Sequence, residues 1–130
     1  MSDFFYRSFE EKYRGSRDLI KSRLQVYLPF VQPLFKANPS GKALDLGCGR
    51  GEWLELLGEY GFEAIGVDWD DGMLQACREL KLNVQNADAV AYLRDLPKAS
   101  HCIVSCFHIA EHLPFEELQA VVQEALRVLV

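Results

Sequence analysis

The chain has 130 residues, 49% of them hydrophobic and 25% charged, a balance that fits one globular domain and excludes disordered and collagenous classes. Its net charge of −5 is unevenly spread, with six Lys/Arg against four Asp/Glu in residues 1–25 and eight against fifteen in the rest, so the acidic body repels polyanions and no nucleic-acid partner is expected. No apolar stretch reaches the length of a secretory signal or a membrane span, and a soluble, cytoplasmic protein without a membrane span is the expectation.

Residues 1–36 read as a helical arm, because Ile20, Leu24, Tyr27, Val31 and Leu34 recur at steps of four and three that keep them on one face. Pro29 and Pro33 must interrupt or kink it. Residues 36–42, KANPSGK, are a turn that separates this arm from a body over 42–130. In the body, apolar runs of strand length at 43–46, 64–67, 83–87 and 102–107 alternate with amphipathic stretches at 52–60, 71–80, 89–96 and 115–129. Such alternation predicts parallel βαβ units and an open α/β sheet. Pro114 suits the first position of the last helix, Glu116 and Glu117 face its positive end, and Phe115, Leu118, Val122, Ala125 and Leu129 form its predicted buried stripe. No strand follows that helix before Val130, so the chain is expected to be a fragment. Cys48, Cys77, Cys102 and Cys106 form no paired CxxC knuckles and read as reduced, mostly buried thiols.

The chemistry concentrates in residues 43–52, Ala-Leu-Asp-Leu-Gly-Cys-Gly-Arg-Gly-Glu, a strand running through a glycine-rich turn into a helix. Glycines let the backbone turn tightly and approach a ligand, and the free amides of the helix start offer donors. A dinucleotide fingerprint, GxGxxG, would need glycine at position 52, where this chain has Glu52, so a nicotinamide dinucleotide enzyme is disfavoured.

Asp45-Leu46-Gly47-Cys48-Gly49-Arg50-Gly51 resembles the first motif of class I S-adenosylmethionine (SAM) dependent methyltransferases. The likeness extends over about residues 42–130 and implies a Rossmann-like, doubly wound, mostly parallel sheet. Its first four strands, ordered 3-2-1-4, are present here, and the 5-7-6 strands are missing. It also implies SAM as cofactor, with the glycine loop (Gly47, Cys48, Gly49 and Gly51) on the methionine portion and Asp45 helping to hold the ammonium. Asp68, at the end of Ala64-Ile65-Gly66-Val67-Asp68, matches the acid that takes both ribose hydroxyls. Trp69 would cover the adenine face, and Asp88 with Ala89 matches the position that meets the adenine amino group. Fourth-strand edges left bare in such a fragment invite pairing, so a homodimer through that edge is expected.

In this family the segment after strand four faces the methyl group; here it reads Ser105-Cys106-Phe107-His108-Ile109-Ala110-Glu111-His112-Leu113-Pro114. It lacks the Asn-Pro-Pro-aromatic and Pro-Cys signatures of nucleobase methylation, and its EHL element resembles enzymes acting on small molecules, lipids or sugars. A hydroxyl acceptor is implied, and histidine can take its proton near neutral pH. His108 is the first candidate base and His112 the second, with Glu111 either orienting one of them or lining the SAM pocket and Phe107 at the cofactor; the alternative is that these histidines only cap or pack the loop. His108, Glu111 and His112 also spell HxxEH, the spacing of inverted zinc peptidases. No long helix frames that pair ahead of Pro114, and no metal is expected.

Residues 3–31, beginning FYRSFEEKYRGSR at position 5 once Asp3 and Phe4 are passed, are similar to the arm that precedes methyltransferase domains of bacterial surface-polysaccharide enzymes. That likeness puts Tyr6, Arg14, Gly15, Ser16 and Arg17 near the cofactor mouth, with Arg14 or Arg17 as a clamp on the methionine carboxylate. The expected function is methyl transfer from SAM to a hydroxyl of a small molecule or glycan in polysaccharide biosynthesis. A SAM-binding module or pseudoenzyme half without catalysis of its own is the alternative.

Overall fold

The computed structural model describes residues 16–37, 41–107, 109 and 112–130. Four parallel strands, β1 (Lys42–Leu46), β2 (Glu63–Asp68), β3 (Val84–Asn86) and β4 (Ile103–Ser105), lie in the order β3-β2-β1-β4. The helices are α1 (Arg17–Leu24), which passes through a 3-10 turn at Gln25–Tyr27 into α2 (Leu28–Ala37), then α3 (Glu52–Glu59), α4 (Asp71–Glu79), α5 (Ala89–Arg94) and α6 (Phe115–Val128). This is the expected Rossmann-like sheet with a helical arm before it.

Period-two alternation divides the core. Leu44, Leu46 and Val67 point to α5 and α6, where they join Val90, Leu93, Val121 and Val128. Ala43 and Ile103 point the other way, to Trp53, Leu56 and Leu57 of α3 and Leu28 of the arm. Gly66, inside β2, is where α3 and the glycine loop press on the sheet. A Cβ there would lie 2.4 Å from Leu54 Cδ1 and 2.6 Å from Cys48 Sγ. The arm therefore belongs to the hydrophobic core. Polar contacts also fasten it to α3: Arg17 pairs with Glu55 at 3.2 Å, and Lys21 pairs with Glu55 and, at 2.6 Å, with Glu59.

One expectation needs correction. In the predicted stripe of α6, Phe115 is 68% exposed and Val122 51% exposed, while Val121 and Val128 are the buried residues. The helix is apolar on two sides, and periodicity alone could not tell which side meets α5 and the sheet. Among the described residues no fifth strand follows α6, as expected, and the sheet keeps four strands. Leu129 forms a parallel bridge with His101, and the Val130 amide donates to the His101 carbonyl at 2.9 Å, making an isolated rung just before β4. Among the cysteines, all four are free; Cys48 and Cys77 are buried, Cys102 and Cys106 half-buried.

Candidate functional site at the strand tips

β1 and β2 deliver two aspartates and the glycine loop to one end of the sheet. Gly47, Gly49 and Gly51 all have positive φ, at +71°, +55° and +84°, which side chains other than glycine's adopt only at a cost. Their surroundings differ. A Cβ on Gly49 would meet nothing within 4 Å, so the loop's centre is bare backbone facing open space. On Gly51 it would lie 2.7 Å from Leu82 and 2.8 Å from Cys77 Sγ, so Gly51 is turned toward α4 and its amide closes the turn onto the Cys48 carbonyl at 2.9 Å.

Beside this loop lies a cavity of about 390 Å³, within the range of small-molecule sites. The loop residues Gly47, Cys48, Gly49 and Arg50 form its floor, with Asp45, Glu52, Trp53 and Phe107 around it and Ile20, Arg23 and Leu24 of α1 as the outer wall. Asp45 is buried, and Ser105, its register partner on β4, donates to Asp45 Oδ1 at 2.9 Å. Burial, followed by the nearby charges of Asp68 and Glu52, pushes the Asp45 carboxyl up to about 7, against the opposing Ser105 bond. Glu52 is paired with Arg50 at 2.9 Å.

Asp68 ties the second strand tip to the loop. Its Oδ2 accepts from the Gly49 amide at 2.8 Å and its Oδ1 from the Asp70 amide at 2.9 Å. An ionised carboxylate has about four acceptor positions, so both oxygens keep capacity for further donors. Trp69, next in the chain, is 68% exposed. Asp88 caps α5 by accepting from the Ala91 amide at 3.0 Å, and Ala89 is buried behind it in the core.

Of the residues expected at a cofactor, Asp45, Gly47, Cys48, Gly49 and Phe107 line the cavity, and Asp68 joins it through Gly49. Arg17 is not among the cavity's lining residues and donates to the Arg50 carbonyl at 2.7 Å and to Glu55, and Ser16 caps α1 through the Leu19 amide. His112 is exposed in the loop before α6, its amide donating to the Ile109 carbonyl at 3.0 Å. His108, Glu111, Tyr6, Arg14 and Gly15 lie outside the described residues. Among the described residues no group of three or more His, Cys, Asp or Glu side chains is arranged for a metal, and no helix is long and apolar enough to cross a membrane.

Sequence reasoning missed Arg23 and Trp53. Arg23 stands three positions after Ile20, on the same flank of α1, which was the available signal. Trp53 follows the loop by two residues, is 4% exposed, and has a buried indole N–H that finds no acceptor among the described residues. Tyr27 and Phe107 stack beside it, their ring centres 5.1 Å apart, and Phe107 lies 5.4 Å from Trp53.

A parallel 3-2-1-4 sheet, a glycine turn after its first strand and an acid ending its second define a Rossmann-like domain of the SAM-dependent methyltransferase class. The methyltransferase domain family matches residues 43–130, and the chain belongs to it. A solved SAM-dependent methyltransferase from Archaeoglobus fulgidus is 42% identical, with a TM-score of 0.84 over 96% of this chain and 53% of that one. The ubiquinone biosynthesis O-methyltransferase of Methylococcus capsulatus is 35% identical over 81 residues, 56% of this chain and 33% of that protein. The trans-aconitate 2-methyltransferase of Rhizobium rhizogenes is 38% identical over 97 residues, 71% of this chain and 33% of that protein. The chain thus spans about half of the solved relative and a third of the two curated ones.

Proposed function

We propose that the chain is the cofactor-binding part of a methyltransferase that moves a methyl group from SAM to a hydroxyl of a small molecule or glycan. The observation that carries the cofactor assignment is the Asp68–Gly49 bond of 2.8 Å, which joins an acceptor of ribose hydroxyls and a bare glycine loop into one cradle. The cavity beside it fits a zwitterionic sulfonium. Asp45 and Glu52 supply negative charge toward its ammonium and sulfonium, and the high Asp45 pKa marks a carboxylate that a cation would stabilise. Arg23 faces the opposite charge, a carboxylate, and the orphan indole N–H of Trp53 is a second donor in the same wall. Trp69 covers the adenine, and the second carboxylate oxygen of Asp88 takes its amino group.

SAM, when bound, supplies a methyl already activated by the sulfonium, so the protein's task is to orient the acceptor in line and exclude water. His108, or failing it His112, takes the hydroxyl proton, with Glu111 orienting that histidine or lining the SAM pocket. The O-methyltransferase among the relatives supports an oxygen acceptor. The arm's likeness to surface-polysaccharide enzymes is what supports a glycan.

Calorimetric titration of this chain with SAM, S-adenosylhomocysteine and NAD tests the cofactor. Micromolar binding of the first two and none of the third is expected, with a loss of at least about tenfold for Asp68→Ala, roughly one strong hydrogen bond. No heat with SAM or its demethylated product would overturn the reading. Turnover of hydroxylated glycans by the full-length gene product, abolished in His108→Ala, tests the acceptor; SAM binding without turnover on any acceptor would favour a non-catalytic module.

A further inference from the structure

We infer that Cys77 is a positioning residue for the cofactor loop: its buried thiol fixes the Gly49 carbonyl, and through Gly49 the carboxylate of Asp68. The inference rests on the SAM reading above for its consequence, but its geometry stands apart from it.

Cys77 lies in the second turn of α4 with no exposed surface. Its thiol donates to the Gly49 carbonyl at 3.2 Å. The Gly49 amide, on the other side of the same Cα, donates to Asp68 Oδ2 at 2.8 Å. A glycine at φ +55° has no side chain to hold it there, so these two bonds, one to α4 and one to the tip of β2, decide where its backbone points. Among the described residues the donors to this carbonyl are thiols: Cys77, and Cys48 at 3.9 Å, the outer limit for such a bond.

The neighbours are shaped for the sulfur. Gly51 lacks the Cβ that would sit 2.8 Å from it. Interaction with the neighbouring Cys77 thiol, then burial, raises the Cys48 thiol, while the same interaction lowers Cys77 against the opposing effect of burial. Cys77 donates its S–H to the Gly49 carbonyl, and the Cys48 thiol reaches the same carbonyl from farther off. The result is two thiols on one backbone carbonyl of the glycine loop.

Removing the Cys77 donor leaves the Gly49 carbonyl unsatisfied and frees the Gly49 amide to swing off Asp68. The ribose-binding carboxylate then loses its fixed orientation, which affects cofactor binding and not the chemistry of transfer. Cys77→Ala and Cys77→Ser separate donor from bulk, with Cys77→Val, which fills the space without a donor, standing in if the alanine variant does not fold. Hydrogen exchange of the Gly49 amide in the ligand-free protein is expected to speed up about tenfold in the alanine or valine variant and to return to within about threefold in the serine variant, the effect of losing one bond of ordinary strength. SAM affinity and KM should weaken by about the same factor while kcat stays within about twofold. Unchanged Gly49 exchange in the variants without a donor, or equal losses in the serine and alanine variants, would overturn the inference. If the parent protein failed to bind SAM, the functional reading would fall, and Gly49 exchange would still decide whether the thiol holds the loop.

Discussion

Asp45 is the residue at which the needs of the fold and of the ligand diverge. Its carboxyl is buried at the end of β1, and burial with the charges of Asp68 and Glu52 raises it from 3.8 to about 7. Between those values the folded chain keeps a proton that the unfolded chain has released, so stability falls as pH rises from about 4 to 7 and is flat above that. Asp45→Asn keeps an acceptor for the Ser105 hydroxyl and removes the charge. It is expected to raise the stability of the ligand-free protein at pH 8 by on the order of 1 to 4 kcal/mol, and to abolish the decline between pH 4 and 7. Urea denaturation at several pH values measures both. The same variant should bind SAM at least about tenfold more weakly at pH 8, the loss of one buried charge contact, while parent affinity falls below pH 7 as the proton competes. A variant no more stable than its parent at pH 8 would show that the carboxylate is not held in a dry site.

At the scale of elements, strands and helices were legible because apolar runs of four to six residues separated by amphipathic stretches leave few alternatives to parallel βαβ units. The glycine turn and both acids were legible for the same reason, since each ends a strand. Contacts between distant elements were not. Arg127 of α6 looks like an ordinary charge on a solvated face, yet its guanidinium donates to the carbonyls of Leu96 at 2.8 Å, Leu93 at 3.0 Å and Arg94 at 3.4 Å, with Glu124 holding its Nε at 2.6 Å. Those carbonyls lie at and just past the C-terminal end of α5, and this donor to them comes from more than thirty residues away. Arg127→Met keeps the stem and removes the cap. Because the side chain is a third exposed, a loss of about 1 to 2 kcal/mol is expected, less than for a fully buried charged bond. It should appear as a lower Tm with SAM affinity unchanged within about twofold, since α5 ends at the edge of the sheet opposite the glycine loop; a variant with its parent's Tm would remove the cap from the account of α6.

For the molecule as a whole, the open question is what the second apolar side of α6 and the outer edge of β4 meet. Phe115, Val122, Leu126 and Val130 are each more than half exposed, and β4 pairs with β1 on one side while, among the described residues, no strand pairs with its other side, the isolated His101–Leu129 bridge lying just before it. Sequence patterning hid this because a helix with two apolar sides has no single stripe to read. An exposed apolar face beside a free strand edge is a template for association. In a solution of this chain alone, a second copy is the available partner, and burying Phe115 and Leu126 there gains roughly 1.5 to 3 kcal/mol per fully covered side chain. Sedimentation should therefore show concentration-dependent dimers or larger species. Leu126→Lys, on the exposed side of α6, should shift the chain toward monomer without lowering its Tm, because Val121 and Val128, not Leu126, hold the helix to the core. A parent chain that stays monomeric at high concentration would mean that this face, though apolar, is too small or too curved to pair with itself.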